Sequence, residues 1–437
     1  MIDTPNSEPL NWLDWLVVFL LVGYFSMRQS FAYIGVSPLY IGEIALGTFI
    51  VANSRILVRP WLSGLVRNNH LGALSWWMFI FMGYGLIQTF RGIAYGYNTK
   101  IAIQNVVFNI YPLFIFVGLW VGVRHRELLP KVIRWIAWFN GVYGVIYLVF
   151  LPQLGLLNET KFDGTISWFG QPGGAAVALL GLLAFEQNLK KVWVPALLNT
   201  FVLLGIQVRA EWLGFTACLL LWGYLTGRIS QLVKITCVLA GLLAIGWVTD
   251  IRIPSQSTHA GEISVRSMVG RALSAVDPKL ASGIMENAES WAGTTTWRTG
   301  WWYAIWDMVH EKPARAVVGP GYGYPIWDLH PEGLHRVNRT PHNVFVYALA
   351  YTGWVGVALF VGFQLCIAGL LWQVYCRTGQ AFGICCWVMM IVWAFFDNLY
   401  ETPFGAIPVY LLIGLALAPL LVDNADDDEL EQRTEGF

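Results

Sequence analysis

The sequence predicts an all-α integral membrane protein, with about twelve spanning helices and one large, partly helical polar loop. Three observations carry this. Of 437 residues, 56% are hydrophobic and only 12% charged, where a soluble domain carries about 25% charged residues. The apolar residues fall in runs close to the roughly 20 that a spanning helix needs. The 23 tryptophans suit a chain whose helix ends sit at headgroup level.

In order, the apolar runs lie near 12–27, 37–54, 73–90, 104–123, 132–151, 171–187, 192–208, 211–227, 231–249, 342–373, 381–397 and 403–421. The first has no basic region before it and no small-residue cleavage site after it, so it reads as a retained helix. With the N-terminus inside, the short inner loops hold twelve Lys and Arg. The short outer loops hold five, Arg28, Arg91, Lys100, Lys161 and Arg209. The bias places both termini on the cytoplasmic side. Four parts follow: helices one to nine (1–249), an outer, periplasmic loop domain (250–341), helices ten to twelve (342–421) and an acidic cytoplasmic tail (422–437).

The loop domain holds nine basic and nine acidic residues. Apolar residues recur at helical spacing over 263–276. They do so more strongly over 297–313, an amphipathic helix ending at Lys312-Pro313. Gly319-Pro320-Gly321-Tyr322-Gly323 then forces turns.

Composition also excludes. Net charge is zero and no basic run is long enough to bind nucleic acid. The six cysteines lie in apolar runs or short inner connections. None has metal-ligand spacing, so neither a disulfide framework nor a metal site is expected.

Even-numbered helices run inward, so their N-termini, with free N–H groups and partial positive charge, face outward. Three coincide with unusual sequence. Helix six opens on Trp168-Phe169-Gly170-Gln171-Pro172-Gly173-Gly174, helix eight on Arg209-Ala210-Glu211-Trp212, and helix ten on Thr340-Pro341-His342-Asn343. Converging, they would form an anion-binding vestibule. Arg209 reads either as a snorkelling cation or as a bidentate phosphate clamp. Glu211 would orient it or simply favour the helix start. His342 is a candidate general base; the plainer reading is a polar residue after an N1 proline, satisfied by Asn343 and headgroups. Arg298 opens the amphipathic outer helix, and Arg339 approaches His342 along the chain. Asp397 and Glu401 sit near the outer end of helix eleven, where edge carboxylates are functional candidates.

Together these residues resemble the O-antigen ligase and polysaccharide polymerase superfamily. Phe169-Gly170-Gln171-Pro172-Gly173 is similar to that family's F-G-N-P-N turn, with Gln171 and Gly173 in place of the asparagines. Arg209 with Trp212-Leu213-Gly214 is similar to its R-x-x-W-L-G helix start. Arg298, Trp302, Trp306, Pro313 and Gly319–Gly323 resemble the run in its large loop. His342-Asn343 with Gly353 and Gly356 resembles its H-N…G-x-x-G signature.

The resemblance implies a GT-C-like, metal-independent, inverting-type glycosyltransferase without a cofactor. The donor would be an undecaprenyl-diphosphate-linked glycan, held through its diphosphate by Arg209 and Arg298, with His342 activating the acceptor hydroxyl. Asn343, Arg339, Glu211 and Gln171 would support them. Two acceptors remain open at this stage, lipid A–core for a ligase and a second lipid-linked glycan for a polymerase. Membrane lipids would be the other partners. The rival class is a polysaccharide or lipid-linked glycan transporter or flippase. It is disfavoured by the large outer domain and by the lack of matched broken helices in two halves. A structural scaffold for an export complex is a third reading.

Overall fold

The computed structural model describes residues 9–37, 39–52, 70–160, 166–186, 188–255, 261–274, 277–285, 288–330 and 340–421. Arg339, Lys161, the inner-loop Arg55, Arg59 and Arg67, and the acidic tail lie outside the described residues.

Each apolar run contains a helix. The first nine are α1 (Trp12–Ala32), α2 (Ile41–Ala52), α3 (His70–Ala94), α4 (Thr99–Arg124), α5 (Leu128–Gln153), α6 (Ala175–Phe185), α7 (Trp193–Ile206), α8 (Arg209–Thr226) and α9 (Ile229–Thr249). The polar segment adds α10 (Val265–Leu273), α11 (Pro278–Ser282), α12 (Ala288–His310) and α13 (Pro313–Val318). The chain ends in α14 (Val344–Thr378), α15 (Phe382–Phe396) and α16 (Pro403–Leu417). Among the described residues, strand is confined to two short antiparallel hairpins, Gly35–Val36 with Leu39–Tyr40 and Ile253–Pro254 with Glu262–Ile263.

Among the described residues, seven helices are long and apolar enough to cross a membrane: α1, α3, α4, α5, α9, α14 and α16. Helices α2, α6, α7 and α15 have 12, 11, 14 and 15 residues. At about 1.5 Å per residue they fall short of a hydrocarbon core about 30 Å thick. The turns beside α6, α7 and α15 bring Gln171, Val208, Asp397 and Asn398 to the cavity described below.

The bundle is built around α16, which is apolar on every side and buried along its whole length, as such a helix must be. It packs on α4 and α1. Small residues permit the approach: a Cβ at Gly118 or Gly414 would overlap backbone of the facing helix. Polar links tie α5, α7 and the turn before α6. Asn140 of α5 donates to Asn199 of α7 (2.8 Å) and accepts from the Gly174 amide (3.1 Å), holding the turn before α6. Buried this deeply, each amide needs such partners.

The polar segment between α9 and α14 is docked on the bundle. Gln207, at the C-cap of α7, donates to the Glu262 carbonyl (3.1 Å) and to Ser267 of α10 (2.8 Å). Arg91 of α3 donates to the Val318 and Gly319 carbonyls. The helix expected to end at Lys312-Pro313 ends at His310, and Pro313 starts α13. Gly319 follows at φ 68°, where a Cβ would overlap the Tyr351 carbonyl, so only glycine fits.

Two helices are broken. Within α14, Gly353 has φ 64° and ψ −167°, a conformation almost restricted to glycine. The rings of Phe345 and Phe360 lie 5.8 Å apart, whereas an unbroken helix would separate these residues by about 22 Å. The nine residues before the break therefore fold back on the rod after it. Within α1, Arg28 has φ 40° and ψ −113°. Phe19 and Phe31 meet at 5.2 Å, against about 18 Å in a continuous helix.

The break in α14 corrects the expectation of one helix running from residue 342. His342 precedes a short helix that begins at Val344. Asn343 is its N-cap, with its side chain accepting from the amides of Phe345 (2.9 Å) and Val346 (3.1 Å). Pro341 lies outside the helix rather than at N1.

Candidate functional site

A cavity of about 1020 Å³ opens between the bundle and the polar segment. Four of the residues singled out in the sequence, Arg209, Arg298, His342 and Gln171, line it together. The structure adds Arg28, Arg271 and Asp397.

His342 has φ 55°, in the left-handed region that side chains avoid. Three contacts hold it there. Trp302 of α12 donates its indole N–H to the Pro341 carbonyl (2.7 Å). Trp297 meets the imidazole edge-on at 5.8 Å. Nδ1 lies 3.1 Å from Asp397 Oδ1. With Nδ1–H donating to that carboxylate, Nε2 is left as the lone-pair nitrogen, the tautomer a general base requires. The side chains are part-buried, 23% and 18% exposed, so the pair is shielded yet reachable from the cavity.

Asp397 ends α15 in extended conformation. Burial by itself would raise its carboxyl. The hydrogen bond from His342 and the charges of Arg28 and Arg298 outweigh this and hold it below the usual carboxylate range. It therefore stays an acceptor and an anion beside the imidazole.

Four guanidiniums line the same cavity, and two of them, Arg28 and Arg298, act on Asp397. Arg28 projects from the break in α1, with its guanidinium over the rings of Trp393 (5.1 Å) and Phe404 (5.3 Å) and 3.8 Å from Asp397. Arg209 is the first residue of α8 and donates to Ser274 at 3.2 Å. Arg271, on α10, is 5% exposed. Its guanidinium is lowered to about 10, first by burial and then by Arg209 and Arg298. Arg298, on α12, donates to the Phe396 carbonyl at 2.8 Å and keeps a buried Nε–H without a hydrogen-bond partner. Burial lowers it too, against the opposing pull of Asp397. Like charges set this close in a desolvated wall make a strong anion site.

The turn before α6 plays a different part from the one expected. Gln171 lines the cavity, but the glycines beside it serve Arg28. The Gly173 amide donates to the Phe25 carbonyl (2.9 Å). A Cβ at Gly173 would overlap the Arg28 Cδ, and one at Gly170 would overlap the Met27 carbonyl. The turn thus packs against the broken helix and leaves room for the guanidinium. Glu211 does not orient Arg209. It is 1% exposed, lies against the Ala176 amide at the start of α6 and does not line the cavity. Asn343 acts on the backbone through its cap, and Arg339 lies outside the described residues.

Sequence reasoning misses Arg28 and Arg271 and does not pair Asp397 with His342. Arg28 was counted as a loop cation, although a lone charge in the apolar run Val22–Tyr33 is a signal in its own right. Arg271 sits in an amphipathic pattern that reads as a solvated face. Asp397 had been noted, but its partner is 55 residues away in the chain. Among the described residues, no group of three or more His, Cys, Asp or Glu is assembled to hold a metal.

The arrangement can do two things at once. A base with an oriented lone pair can take a proton from a hydroxyl, and a polycationic wall can stabilise charge gathering on phosphate oxygens. Residues 194–361 match the family model described as O-antigen ligase. The match includes Arg209, Arg271, Arg298 and His342; Arg28, Gln171 and Asp397 lie outside it. No curated protein matches the chain.

Proposed function

We propose that this chain, whose residues 194–361 match the O-antigen ligase family model, transfers a glycan from a lipid diphosphate to an acceptor hydroxyl at the periplasmic face of a bacterial inner membrane. The family gives the coarse role, a multi-pass membrane transferase of the ligase and polymerase kind. The observation that carries the rest is the cavity itself, lined by one base–carboxylate pair and four arginines.

The donor is an undecaprenyl-diphosphate-linked glycan, with its diphosphate on Arg209, Arg271, Arg298 and Arg28. His342 Nε2 takes the acceptor proton as the hydroxyl oxygen bonds to the anomeric carbon. The bond from that carbon to the diphosphate oxygen breaks, and its electron pair leaves with the diphosphate. The arginines stabilise that charge where it develops, which is where electrostatic stabilisation acts most strongly. Asp397 stabilises the imidazolium. Attack opposite the leaving group inverts the anomeric centre, and the reaction uses no nucleotide. The acceptor is lipid A–core in a ligase or a second lipid-linked glycan in a polymerase.

The transporter reading gains little from the two broken helices. Inverted-repeat transporters break helices at corresponding positions of two halves. Here the breaks fall in the first and tenth apolar helices of the chain.

The test is a purified transfer assay. His342→Ala should fold and insert but lose transfer. Arg209→Ala should raise the donor KM more than Arg209→Lys, which keeps the charge and loses the planar fork. Full activity of His342→Ala would sink the mechanism, and donor dependence unchanged in both Arg209 variants would remove that residue from the clamp.

A further inference from the structure

The cavity wall is mixed, with Tyr33, Tyr147, Val208, Trp302 and Phe404 set among its polar groups. Gln29, Ser30, Asn398 and Thr340 line it away from α8. Among the described residues, two apolar lining side chains are also exposed on the protein surface: Leu213, at 50%, and Phe396, at 37%. They stand at the cavity ends of α8 and α15.

These helices touch closely one step further in. A Cβ on Gly214 would approach the Met389 carbonyl at 2.8 Å, and Cys218 Sγ lies 3.8 Å from Met389 Sδ. Leu213 and Phe396 each reach both the cavity lining and the exposed surface on this side. Both belong to the arginine end of the cavity. Leu213 is one helical turn from Arg209, and the Phe396 carbonyl accepts from Arg298. From Leu213 the exposed face of α8 continues through Leu220 (66%) and Tyr224 (73%). At about 1.5 Å per residue, that stripe reaches about 16 Å deeper than Leu213.

We propose that the isoprenoid chain of the donor leaves the cavity between Leu213 and Phe396 and lies along this stripe of α8. The proposal rests on the diphosphate reading above and adds a direction to it. A lipid diphosphate has its alkyl chain on one end and its glycan on the other. The arginines fix the diphosphate, and the apolar opening beside Arg209 and Arg298 takes the chain into the bilayer. The glycan then points across the cavity toward His342 and the polar lining residues. That order puts the anomeric carbon between base and leaving group, as in-line displacement requires.

The experiment uses full-length protein in nanodiscs containing undecaprenyl diphosphate. The photoreactive residue p-benzoylphenylalanine replaces Leu213, Phe396 or, on the α1 wall of the cavity, Tyr33. After irradiation, mass spectrometry identifies the adducts. Isoprenoid adducts are expected at 213 and 396, at least five-fold above those at 33, and several-fold weaker with excess inorganic diphosphate. Adducts at 33 that equal or exceed the others and are suppressed by diphosphate would overturn the portal and leave the donor reading standing. Only phospholipid adducts, indifferent to diphosphate at every position, would overturn both.

Discussion

The carboxylate of Asp397 offers the most direct test of how the site works. Asp397→Asn keeps the size of the side chain and an oxygen that can accept from His342 Nδ1. It removes the negative charge 3.1 Å from that nitrogen. On the proposed mechanism the charge matters most when the imidazole holds the acceptor's proton, because a cation then stands against the carboxylate. Two unit charges about 4 Å apart near a protein surface interact by about 4 kcal/mol. Both side chains are partly open to solvent, so screening leaves half to three-quarters of this, about 2–3 kcal/mol. At about 1.4 kcal/mol per factor of ten, kcat should fall roughly 30- to 150-fold.

The same substitution acts oppositely on binding. Asp397 also sits 3.8 Å from Arg28, and releasing that guanidinium leaves more positive charge for the diphosphate. The donor KM should stay level or fall. Steady-state transfer from a radiolabelled donor in nanodiscs separates the two constants. Asp397→Glu, which restores the charge slightly displaced, should recover part of kcat. A folded Asp397→Asn enzyme with kcat within threefold of the parent would refute the reasoning. So would a loss carried wholly by a higher donor KM, since that would make Asp397 a binding residue rather than a positioning one.

Two further outcomes follow from packing and burial. Gly173→Ala places a methyl where the Arg28 Cδ runs; overpacking of this kind costs about 1–3 kcal/mol, so the donor KM should rise roughly tenfold while Gly83→Ala, which meets open space, leaves it unchanged. Equal constants for the two variants would detach the turn from Arg28. Glu401 lies between α15 and α16, is 5% exposed, and has neither carboxyl oxygen hydrogen-bonded; burial pushes it up to about 8. Between its ordinary value near about 4.3 and about 8, the folded state holds a proton that the unfolded chain has released, so stability falls as pH rises through that window. Glu401→Gln should flatten the fall and raise the melting temperature above about pH 8 in detergent, and parallel melting curves for parent and variant across that range would contradict it.

Much of the architecture was legible because apolar runs and turn residues state it locally. The helix of the polar segment that ends before Pro313, the turns at Gly319–Gly323 and the arginine opening α8 all show in short windows of sequence. Arg209, Arg298 and His342 were found for the same reason, each at the edge of a recognisable run. What stayed hidden depends on where helices break. Gly353 was visible as a glycine in a spaced pair, but nothing local says that φ 64° there folds Phe345 back onto Phe360. Arg28 is harder still, since a break at an arginine has no composition signal. The neighbours that impose it, Phe19 and the glycines at 170 and 173, are far away or facing elsewhere in the sequence. The tie from Asp397 to His342 likewise exists only after α14 and α15 have packed.

The location of backbone strain then argues for the same site from a different direction. Four non-glycine residues among those described have positive φ, namely Arg28, Gln207, Asp250 and His342. Two of them line the cavity, and Gln207 immediately precedes the segment that presents Arg209. Each such conformation costs on the order of 1–3 kcal/mol, and glycine would adopt it freely. If the breaks served only to turn the chain, glycine would be the cheaper residue at positions 28 and 342, as it is at 353. Glycine carries neither a guanidinium nor an imidazole. A continuous α1 would also leave residue 28 on the helix wall, whereas the break carries its side chain between Trp393 and Phe404 toward Asp397. The strain at these two residues is therefore tied to what their side chains do, and the surrounding packing holds them where a relaxed helix could not.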